Sequence, residues 1–476
     1  MSPDTAELAK QGQQLTRENA VSAAPPATRE LGAWVAKLTF ADIPAEAVQH
    51  AKRCLLDLFG CGLYGARQPW GDIAADVACE LAGDGPSTLW AHGRRTGPAE
   101  AAMANGTAAH GFEIDDIHVS SSLHPGSVTI PAALAIGEAR KLTGKDLITA
   151  VVAGYEVGIR IGICASIQHK MKGFHITGTG GSIAAAAAAA KALNLADEAC
   201  ADALGLAATQ AAGLYSARKG AMAKRFHAGR AAQSGVISGY LAEKGFTGSK
   251  EAIETPFGGF MSSFSENADL SVLTKDLSEH WHILDTGFKA YSSCASSHTT
   301  IDCIDKLMRD GLTADNLEKL TIYMTKTGLT NVGWEYKPVG IVGAQMNGYF
   351  VSSLKLLDDE VFINQFTEER IRDPKILAFM KKIEIVHDPE LDAGGATKRH
   401  KVRVHAKRTD GTEMETTREQ RRGSFQHPLS DEEIRTKFHR TAGAILPADS
   451  VDKLMAAVDG LETAATLDEL GTLLRG

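Results

Sequence analysis

One stretch organises this chain: Asn105-Gly-Thr-Ala-Ala-His-Gly-Phe-Glu-Ile-Asp-Asp-Ile-His-Val-Ser-Ser-Ser-Leu-His-Pro-Gly126. It places three histidines and three carboxylates between two long, alanine-rich apolar segments: His110, His118, His124, Glu113, Asp115 and Asp116. Titratable groups inside an apolar region have shifted pKa values and are suited to proton transfer. A second interpretation stays open at this point, in which the stretch is a solvated loop whose acids cap the next helix.

The composition is that of an ordinary globular protein, with 476 residues, 44% hydrophobic and 23% charged. A net charge of −8 argues against nucleic acid as a partner. Seven cysteines, an odd number without a C-x-x-C pair, are typical of a reducing cytoplasm. No apolar run is long enough for a signal peptide or a membrane span, so we expect a cytoplasmic protein without a membrane partner.

Helical periodicity dominates residues 29–280, and residues 1–28 are predicted to be a flexible tail. The first clear helix follows Pro44, carries a buried stripe and is predicted to close at glycines 60, 62 and 65. The alanine run 184–190 is the strongest helix signal, with Ser182 as its predicted N-cap. Further helices are predicted over 70–82, 97–112, 126–141, 145–163, 197–213 and 224–244.

The pattern changes after about residue 280. Apolar residues alternate near 320–325, 382–386 and 400–408, and Asp410-Gly411 predicts a hairpin turn to a last strand. A capping box at Ser430 and Glu433 then opens helices that run to the end. The predicted fold is therefore mainly α: an all-helical domain formed by 29–280 and 425–476, carrying a small α+β lid domain, 281–424.

Two further stretches are suited to binding anions. His175 precedes the glycine-rich run 178–181, where backbone N–H groups at a helix N-terminus could hold an anion; close helix packing is the alternative explanation. The run departs from G-x-G-x-x-G, so a dinucleotide site is not expected. Residues 216–230 concentrate positive charge around Lys224, Arg225 and His227, which suits carboxylates unless the stretch is simply a solvated basic face.

Other chemistries are less well supported. Tyr291, Cys294 and His298 come together if a helix starts there, so a Cys–His nucleophile is conceivable. A metal site built from Asp115, Asp116, His118 and His124 is chemically possible, but the spacing matches no zinc signature. A serine hydrolase would need a G-x-S-x-G elbow, which the sequence lacks.

Taken together, these motifs resemble the MmgE/PrpD family. The matching motifs occur in family order over roughly residues 30–460. The motifs before residue 200 are Asn105-Gly-Thr-Ala-Ala-His, Glu113-Ile-Asp-Asp, His124-Pro-Gly, Gly154-Tyr-Glu-Val, Arg160-Ile-Gly and Gly173-Phe-His-Ile-Thr-Gly-Thr. Those after residue 200 are Gln210-Ala-Ala-Gly-Leu, Lys224-Arg-Phe-His-Ala-Gly-Arg-Ala-Ala, Gly245-Phe-Thr-Gly, Tyr291-Ser-Ser-Cys with His298, and Ile301-Asp302. The resemblance implies a helical domain plus a lid, a homodimer, an active site between the two domains, and no metal or organic cofactor.

The resemblance also implies roles for individual residues. The acid, base and charge-binding positions would be Asp115 or Asp116, His124, His175, Lys224 and His298. Around them, the expected substrate-binding residues are Glu113, His118, Thr177, Arg225, His227, Tyr291, Cys294 and Tyr349. Two positions depart from the family pattern: Cys294 stands in the histidine motif of the lid, and Phe350 stands at the lid tyrosine, with Tyr349 beside it.

The family includes dehydratases, decarboxylases and epimerases of small polycarboxylates, and each reaction makes or protonates a carbanion beside a carboxylate. Ala66-Arg-Gln-Pro-Trp70, the spacing from Glu113 to His124, and Gly333-Trp334 are more similar to the fungal cis-aconitate decarboxylase branch. We therefore expect a cofactor-independent lyase of the cis-aconitate decarboxylase or 2-methylcitrate dehydratase type. An epimerase or isomerase of a dicarboxylate such as iminodisuccinate, and a non-catalytic carboxylate-binding protein, are the alternatives.

Overall fold

The structure is a computed structural model that describes residues 26–219, 221–394 and 398–476, with the side chains of 218, 219 and 394 also left out of the description. Most of the predicted tail, residues 1–28, lies outside the described residues. Residues 27 and 28 already belong to a helix, and Thr28 is buried, where its hydroxyl donates to Glu254 over 2.5 Å. The sequence analysis did not predict this helix, because its N-cap is Pro26, which makes no side-chain capping bond. Its first turn is held by Glu254, which is distant in sequence.

Helices build the larger part of the chain, in agreement with the predicted fold class. Two short antiparallel pairs, β1 (Ser87–Leu89) with β2 (Arg94–Thr96) and β3 (Ile117–His118) with β4 (Thr286–Gly287), interrupt them. The helices are α1 (Ala27–Lys37), α2 (Ala45–Ala66), α3 (Pro69–Ala82), α4 (Pro98–Ala109), α5 (Gly126–Arg140), α6 (Gly144–Met171), α7 (Ile176–Ala192), α8 (Asp197–Ala208), α9 (Ala223–Glu243) and α10 (Phe260–Phe264).

The apolar stripe predicted for α2 is buried, but the glycines do not end the helix. Residues 60, 62 and 65 lie inside α2, which continues to Ala66. A Cβ added at Gly62 would lie 2.3 Å from the Trp90 ring, and one at Gly65 would lie 2.0 Å from the Ala108 carbonyl oxygen. These glycines therefore allow close approach of neighbouring elements, and helix termination was the wrong interpretation.

The alanine-rich helix α7 is central, and it begins earlier than predicted. His175 is its N-cap, so Ser182 lies in the second turn, where its hydroxyl donates to the carbonyl oxygens of Thr179 and Ala207. Every residue from Ile176 to Ala190 is buried. Small side chains bring α9 against α7, since a Cβ at Gly235 would lie 2.4 Å from the Cβ of Ala185. Within the glycine-rich run, a Cβ at Gly178 would lie 2.5 Å from the carbonyl oxygen of Ala212, so the run also allows close packing at the start of this helix.

Helix α6 is long and apolar enough, by length and composition alone, to cross a membrane. However, 94% of its most apolar window is buried inside the protein. Such burial is typical of a core helix, because a membrane-spanning helix needs an apolar surface that is exposed to lipid. The helix is broken at Ser166, whose φ of 57° and ψ of −168° are not helical.

The lid contains one four-stranded sheet with the order β6-β5-β7-β8. Strand β5 pairs in parallel with β6, and the remaining pairs are antiparallel. The predicted turn at Asp410-Gly411 joins β7 to β8, with φ of 85° at Gly411. The lid strands are β5 (Leu317–Met324), β6 (Ile383–His387), β7 (Val402–Arg408) and β8 (Glu413–Arg418), and its helices are α11 (Ala295–Arg309), α12 (Lys326–Val332), α13 (Ile341–Gln345), α14 (Gly348–Asp358) and α15 (Pro374–Phe379).

The chain then returns to the helical part. The predicted capping box is confirmed: the Ser430 hydroxyl accepts from the Glu433 N–H, and the Glu433 carboxylate accepts from the Ser430 N–H. Lys437 forms an ion pair with Asp57 of α2, N–O 2.6 Å, and donates to the carbonyl oxygen of Ile114. The C-terminal helices thus hold the opening stretch in place; they are α16 (Asp431–Ala442), α17 (Ala448–Asp459) and α18 (Asp468–Arg475).

Candidate active site

The opening stretch is a buried, irregular segment between α4 and α5. It is not a solvated loop, because Glu113, Asp115 and Asp116 are each at most 3% exposed, although Asp116 does accept a hydrogen bond from the first N–H of α5, that of Gly126. Phe112 and Glu113 both adopt left-handed backbone conformations, with φ of 59° and 56°. Non-glycine residues with positive φ are costly and are kept where surrounding structure fixes them, often at functional sites.

A cavity of about 110 Å³, partly open to solvent, lies beside this segment, and residues of the helical part and of the lid line it together. Six of the residues expected to act or bind from the sequence line its wall: Glu113, His124, His175, Lys224, His227 and Cys294. Residues that are far apart in sequence therefore meet around one space.

Two lysines and Glu113 form the charged base of this cavity, and Asp115 lies behind them. Lys224, from α9, donates to Glu113, and Lys289 lies 3.4 Å from the other oxygen of Glu113 and 3.6 Å from Asp115. Burial raises the pKa of Glu113, but the charges of Lys224 and Lys289 outweigh burial and hold it well below its ordinary value. Glu113 is therefore ionised at neutral pH, and its charge offsets part of the positive charge that the two lysines bring to the cavity.

Asp115 bonds one histidine and lies beside a second. The Nδ1–H of His110 donates to Asp115 Oδ2 over 2.7 Å, and His124 Nδ1 lies 3.1 Å from the same oxygen. Burial alone raises the pKa of Asp115; the charges of His124, His110 and Lys289 reverse that effect and lower it well below normal. A fixed carboxylate behind an imidazole that lines a cavity is the arrangement of a positioned acid or base.

His175 is the third imidazole of the group. Its ring stacks on His110 at 5.5 Å, and its Nδ1 lies 3.1 Å from Nδ1 of His227. Burial, with help from the neighbouring positive groups, lowers the pKa of His175 well below its ordinary value. His175 is therefore neutral at pH 7 and can accept a proton. Thr177 supports the group, since its hydroxyl accepts a hydrogen bond from the backbone N–H of His124 over 3.3 Å.

The neighbouring carboxylate, Asp116, does not line the cavity. It accepts a hydrogen bond of 2.7 Å from the Tyr155 hydroxyl and another from the Gly126 N–H. Burial raises its pKa to about 8, so this carboxyl is largely protonated near pH 7. Asp116 thus tethers the start of α5 to α6, while Asp115 faces the histidines.

Several other expected residues also lie away from the cavity wall. The ring of His118 contacts Ser121 and faces His282, and the Arg225 guanidinium lies 3.9 Å above the ring of Trp70. In the lid, the Tyr291 hydroxyl donates to Asp302, and Tyr349 packs beside the core of the sheet.

His298 occupies the turn of α11 behind Cys294. It is fully buried, and its Nε2–H donates to the Ser293 carbonyl oxygen over 3.2 Å. Burial lowers the pKa of His298 well below its ordinary value. Cys294, the N-cap of α11, lines the cavity in front of it. Phe350 is fully buried between the lid and the opening stretch, stacked on Tyr336 at 5.0 Å.

Sequence reasoning missed several cavity residues. Lys289 lies two residues before the Tyr291-Ser-Ser-Cys motif, yet its partner Glu113 lies 176 positions away. A positive charge next to that motif was the available signal for Lys289. Nothing in the sequence pattern pointed to the others, which are Lys170, Asn331, Arg399 and His400.

Two groups of described residues offer donor atoms that a metal ion could use: His110, Asp115 and His124, and His118, His282 and Asp285, each within 4.8 Å. In the first group, the carboxylate already bonds His110, and the Lys289 ammonium is a competing cation 3.6 Å away. In the second, His280 lies 3.1 Å from the carboxylate. We assign a metal to neither group.

Comparison with known proteins agrees with the resemblance found in the motifs. The MmgE/PrpD N-terminal domain matches residues 29–273, and the MmgE/PrpD C-terminal domain matches residues 291–463. The cis-aconitate decarboxylase-like protein oryM of Aspergillus oryzae is 30% identical over 94% of this chain and 97% of its own length. The cis-aconitate decarboxylase of Aspergillus terreus is 28% identical, covering 97% and 98%, and that of Homo sapiens is 29% identical, covering 90% of each. The chain belongs to the MmgE/PrpD family.

Proposed function

We propose that this protein is a lyase that removes carbon dioxide from a small polycarboxylate of the cis-aconitate type. The family and its decarboxylase relatives support an enzyme of the lyase class. One observation carries the proposal furthest. Lys224 and Lys289 converge beside His124 and His175 in a cavity whose acids are already neutralised by those lysines.

The lysines would bind the substrate carboxylates next to the reacting carbon. As the carbon–carbon bond to the leaving carboxylate breaks, carbon dioxide departs, and the electron pair spreads into an adjacent conjugated carboxylate. The positive charges of Lys224 and Lys289 would stabilise this developing negative charge. The lysines would thus do most of the electrostatic work.

A proton must then reach the carbanion to complete the product. His124, with the Asp115 carboxylate 3.1 Å behind it, would be the donor, since that carboxylate stabilises an imidazolium. His175, neutral and at the N-terminus of α7, would bind the substrate beside His124. Each positioned acid or base contributes a factor of about 10²–10⁴ in rate.

An epimerase of a dicarboxylate is the second candidate. It is favoured by the presence of two imidazoles, His124 and His175, on the wall of one cavity, because epimerisation removes a proton from one face and returns it at the other. Dehydration of a 2-methylcitrate-type acid would use the same groups differently: an imidazole would remove the proton beside a carboxylate, and the hydroxyl on the neighbouring carbon would then leave as water after protonation.

We further propose that the enzyme works in the cytoplasm as a homodimer, without a metal or organic cofactor. The free thiol state of all seven cysteines supports a reducing compartment. The lysine pair supports independence from a metal, because it already supplies two positive charges where a Lewis acid would act.

Proton NMR of the purified protein in D₂O distinguishes the three reactions. Cis-aconitate, 2-methylcitrate and iminodisuccinate would be supplied separately. Vinyl protons of an itaconate-like product with release of carbon dioxide are expected from the first. Turnover of 2-methylcitrate alone would assign a dehydratase, and exchange of the iminodisuccinate α-proton alone would assign an epimerase. No reaction with any of them would contradict the proposed function.

A further inference from the structure

A second group of positive residues lines a different wall of the same cavity. Lys170 comes from the last turn of α6, and Arg399 comes from the lid segment that leads into β7. Neither belongs to the lysine pair formed by Lys224 and Lys289. The mechanism above gives these two residues no task.

Arg399 has an unusual environment for a pocket arginine. Its guanidinium donates to the Val119 carbonyl oxygen over 2.6 Å and to the Ser122 hydroxyl over 3.1 Å. Among the described residues, no carboxylate lies within 4 Å of it. Arg399 is partly buried, and burial lowers the pKa of its guanidinium. A partly buried charge without a counter-ion is incompletely solvated, so an anionic ligand is a favourable partner.

The remaining groups on this wall also donate hydrogen bonds. Lys170 donates to Asn331 over 2.8 Å, and the Asn331 amide donates to Ser296 over 2.9 Å. Ser296 lies in the first turn of α11, a helix of 15 residues whose N-terminal N–H groups and dipole favour negative charge. Of the described residues that line the cavity, Glu113 is the one carboxylic acid, and it is bonded to the lysine pair.

We propose that Lys170, Arg399 and the N-terminus of α11 form a second carboxylate subsite, which binds a carboxylate remote from the reacting carbon. The inference rests on the proposed function and narrows its substrate class. The preferred substrate is a tricarboxylate, or another acid with carboxylates at both ends, and a compound lacking the remote carboxylate binds poorly.

Two unreactive compounds test this directly. Tricarballylate carries carboxylates on three successive carbons, whereas methylsuccinate replaces one terminal carboxylate with hydrogen. A charge-assisted hydrogen bond to the extra carboxylate corresponds to a factor of about 10–100 in affinity. Calorimetry on the full-length wild-type protein is therefore expected to show tighter binding of tricarballylate by that factor.

Arg399→Gln and Lys170→Gln should each remove most of this preference, with tricarballylate affinity falling about tenfold or more and methylsuccinate affinity unchanged. Lys172→Gln is the matched control, because Lys172 is two positions from Lys170, donates to Ser263 and does not line the cavity. It should leave both affinities as they are. Since Arg399 also holds the Val119–Ser122 segment, the Lys170 variant provides an independent result on a separate element.

Unchanged tricarballylate affinity in both variants would overturn the subsite. Equal losses for both compounds would also overturn it, because the residues would then shape the cavity rather than bind the remote carboxylate. Equal affinities in the wild-type protein would refute the subsite while leaving the proposed function intact. A wild-type protein that binds neither compound would instead count against the proposed function, and the subsite would fail with it.

Discussion

Replacing Asp115 with asparagine removes the negative charge behind the histidines with almost no change in shape. Asp115 Oδ2 lies 3.1 Å from His124 Nδ1, and Oδ1 lies 3.6 Å from Lys289 Nζ. At an effective dielectric constant of about 20, a charge pair at this His124 distance is worth about 5 kcal/mol. An asparagine dipole recovers part of that energy, so the protonated His124 loses about 3–5 kcal/mol of stabilisation.

That loss corresponds to a fall in kcat of about 10²–10⁴. KM should change little, because Lys224 keeps its place on the cavity wall. Steady-state release of carbon dioxide from cis-aconitate, measured for wild type and Asp115→Asn, gives both constants. Thermal unfolding of each protein shows whether the variant is folded at the assay temperature.

Glu138→Gln is the matched control for loss of a buried carboxylate. Glu138 is 5% exposed and accepts hydrogen bonds from the N–H and the hydroxyl of Thr88, away from the cavity. It should lower the unfolding temperature while leaving kcat near the wild-type value. An Asp115→Asn enzyme with near wild-type kcat would refute the assignment of Asp115 as the residue that positions His124.

Three further predictions follow from the same geometry. His175→Ala should lower kcat about 10²–10⁴-fold in the same assay with the fold retained, and near-normal turnover would exclude His175 from the chemistry. Asp116→Asn should reduce the loss of folding stability between about pH 4 and pH 8. In the unfolded wild-type chain the Asp116 carboxyl ionises near its ordinary pKa, whereas in the folded protein its pKa is about 8. The free energy of unfolding of wild type therefore falls by up to a few kcal/mol as pH rises through this window. Denaturant unfolding of both proteins at pH 5 and 8 measures this, and parallel losses would contradict the protonated state of Asp116. Arg225→Lys should lower the free energy of unfolding by about 1–2 kcal/mol and leave KM unchanged, because the Arg225 guanidinium lies 3.9 Å over the Trp70 ring. A rise in KM without a loss of stability would instead make Arg225 a substrate-binding residue.

The main helices and the lid strands could be predicted because burial imposes a period on the sequence. The stripe of α2 and the alternation of β7 are visible without any distant contact. Helix α1 was missed for the opposite reason. Its first turn depends on Glu254, which is 226 positions away from Thr28. The start of α7 was misplaced because Ser182 has the right chemistry for an N-cap, whereas the chain in fact turns at His175.

The candidate site shows a similar division. The histidines and carboxylates of the opening stretch were recognisable as a group, and four more of the expected residues line the same cavity. The sequence alone does not distinguish the roles of Asp115 and Asp116. In the structure, burial and neighbouring groups keep Asp115 ionised and Asp116 largely protonated. Lys289 and Arg399 were missed because their positions depend on how the lid folds back over the helical part.

The most direct test of the account compares carbon dioxide release from cis-aconitate by the wild-type protein and by Lys224→Ala. Lys224 bonds Glu113 and lines the cavity, and Lys289 still neutralises that acid in the variant. Wild type is expected to release one carbon dioxide per substrate consumed. Lys224→Ala is expected to react at least about 100-fold more slowly while its unfolding temperature stays within a few degrees of that of wild type. Carbon dioxide release at equal rates by the two proteins, or none from wild type, would contradict it.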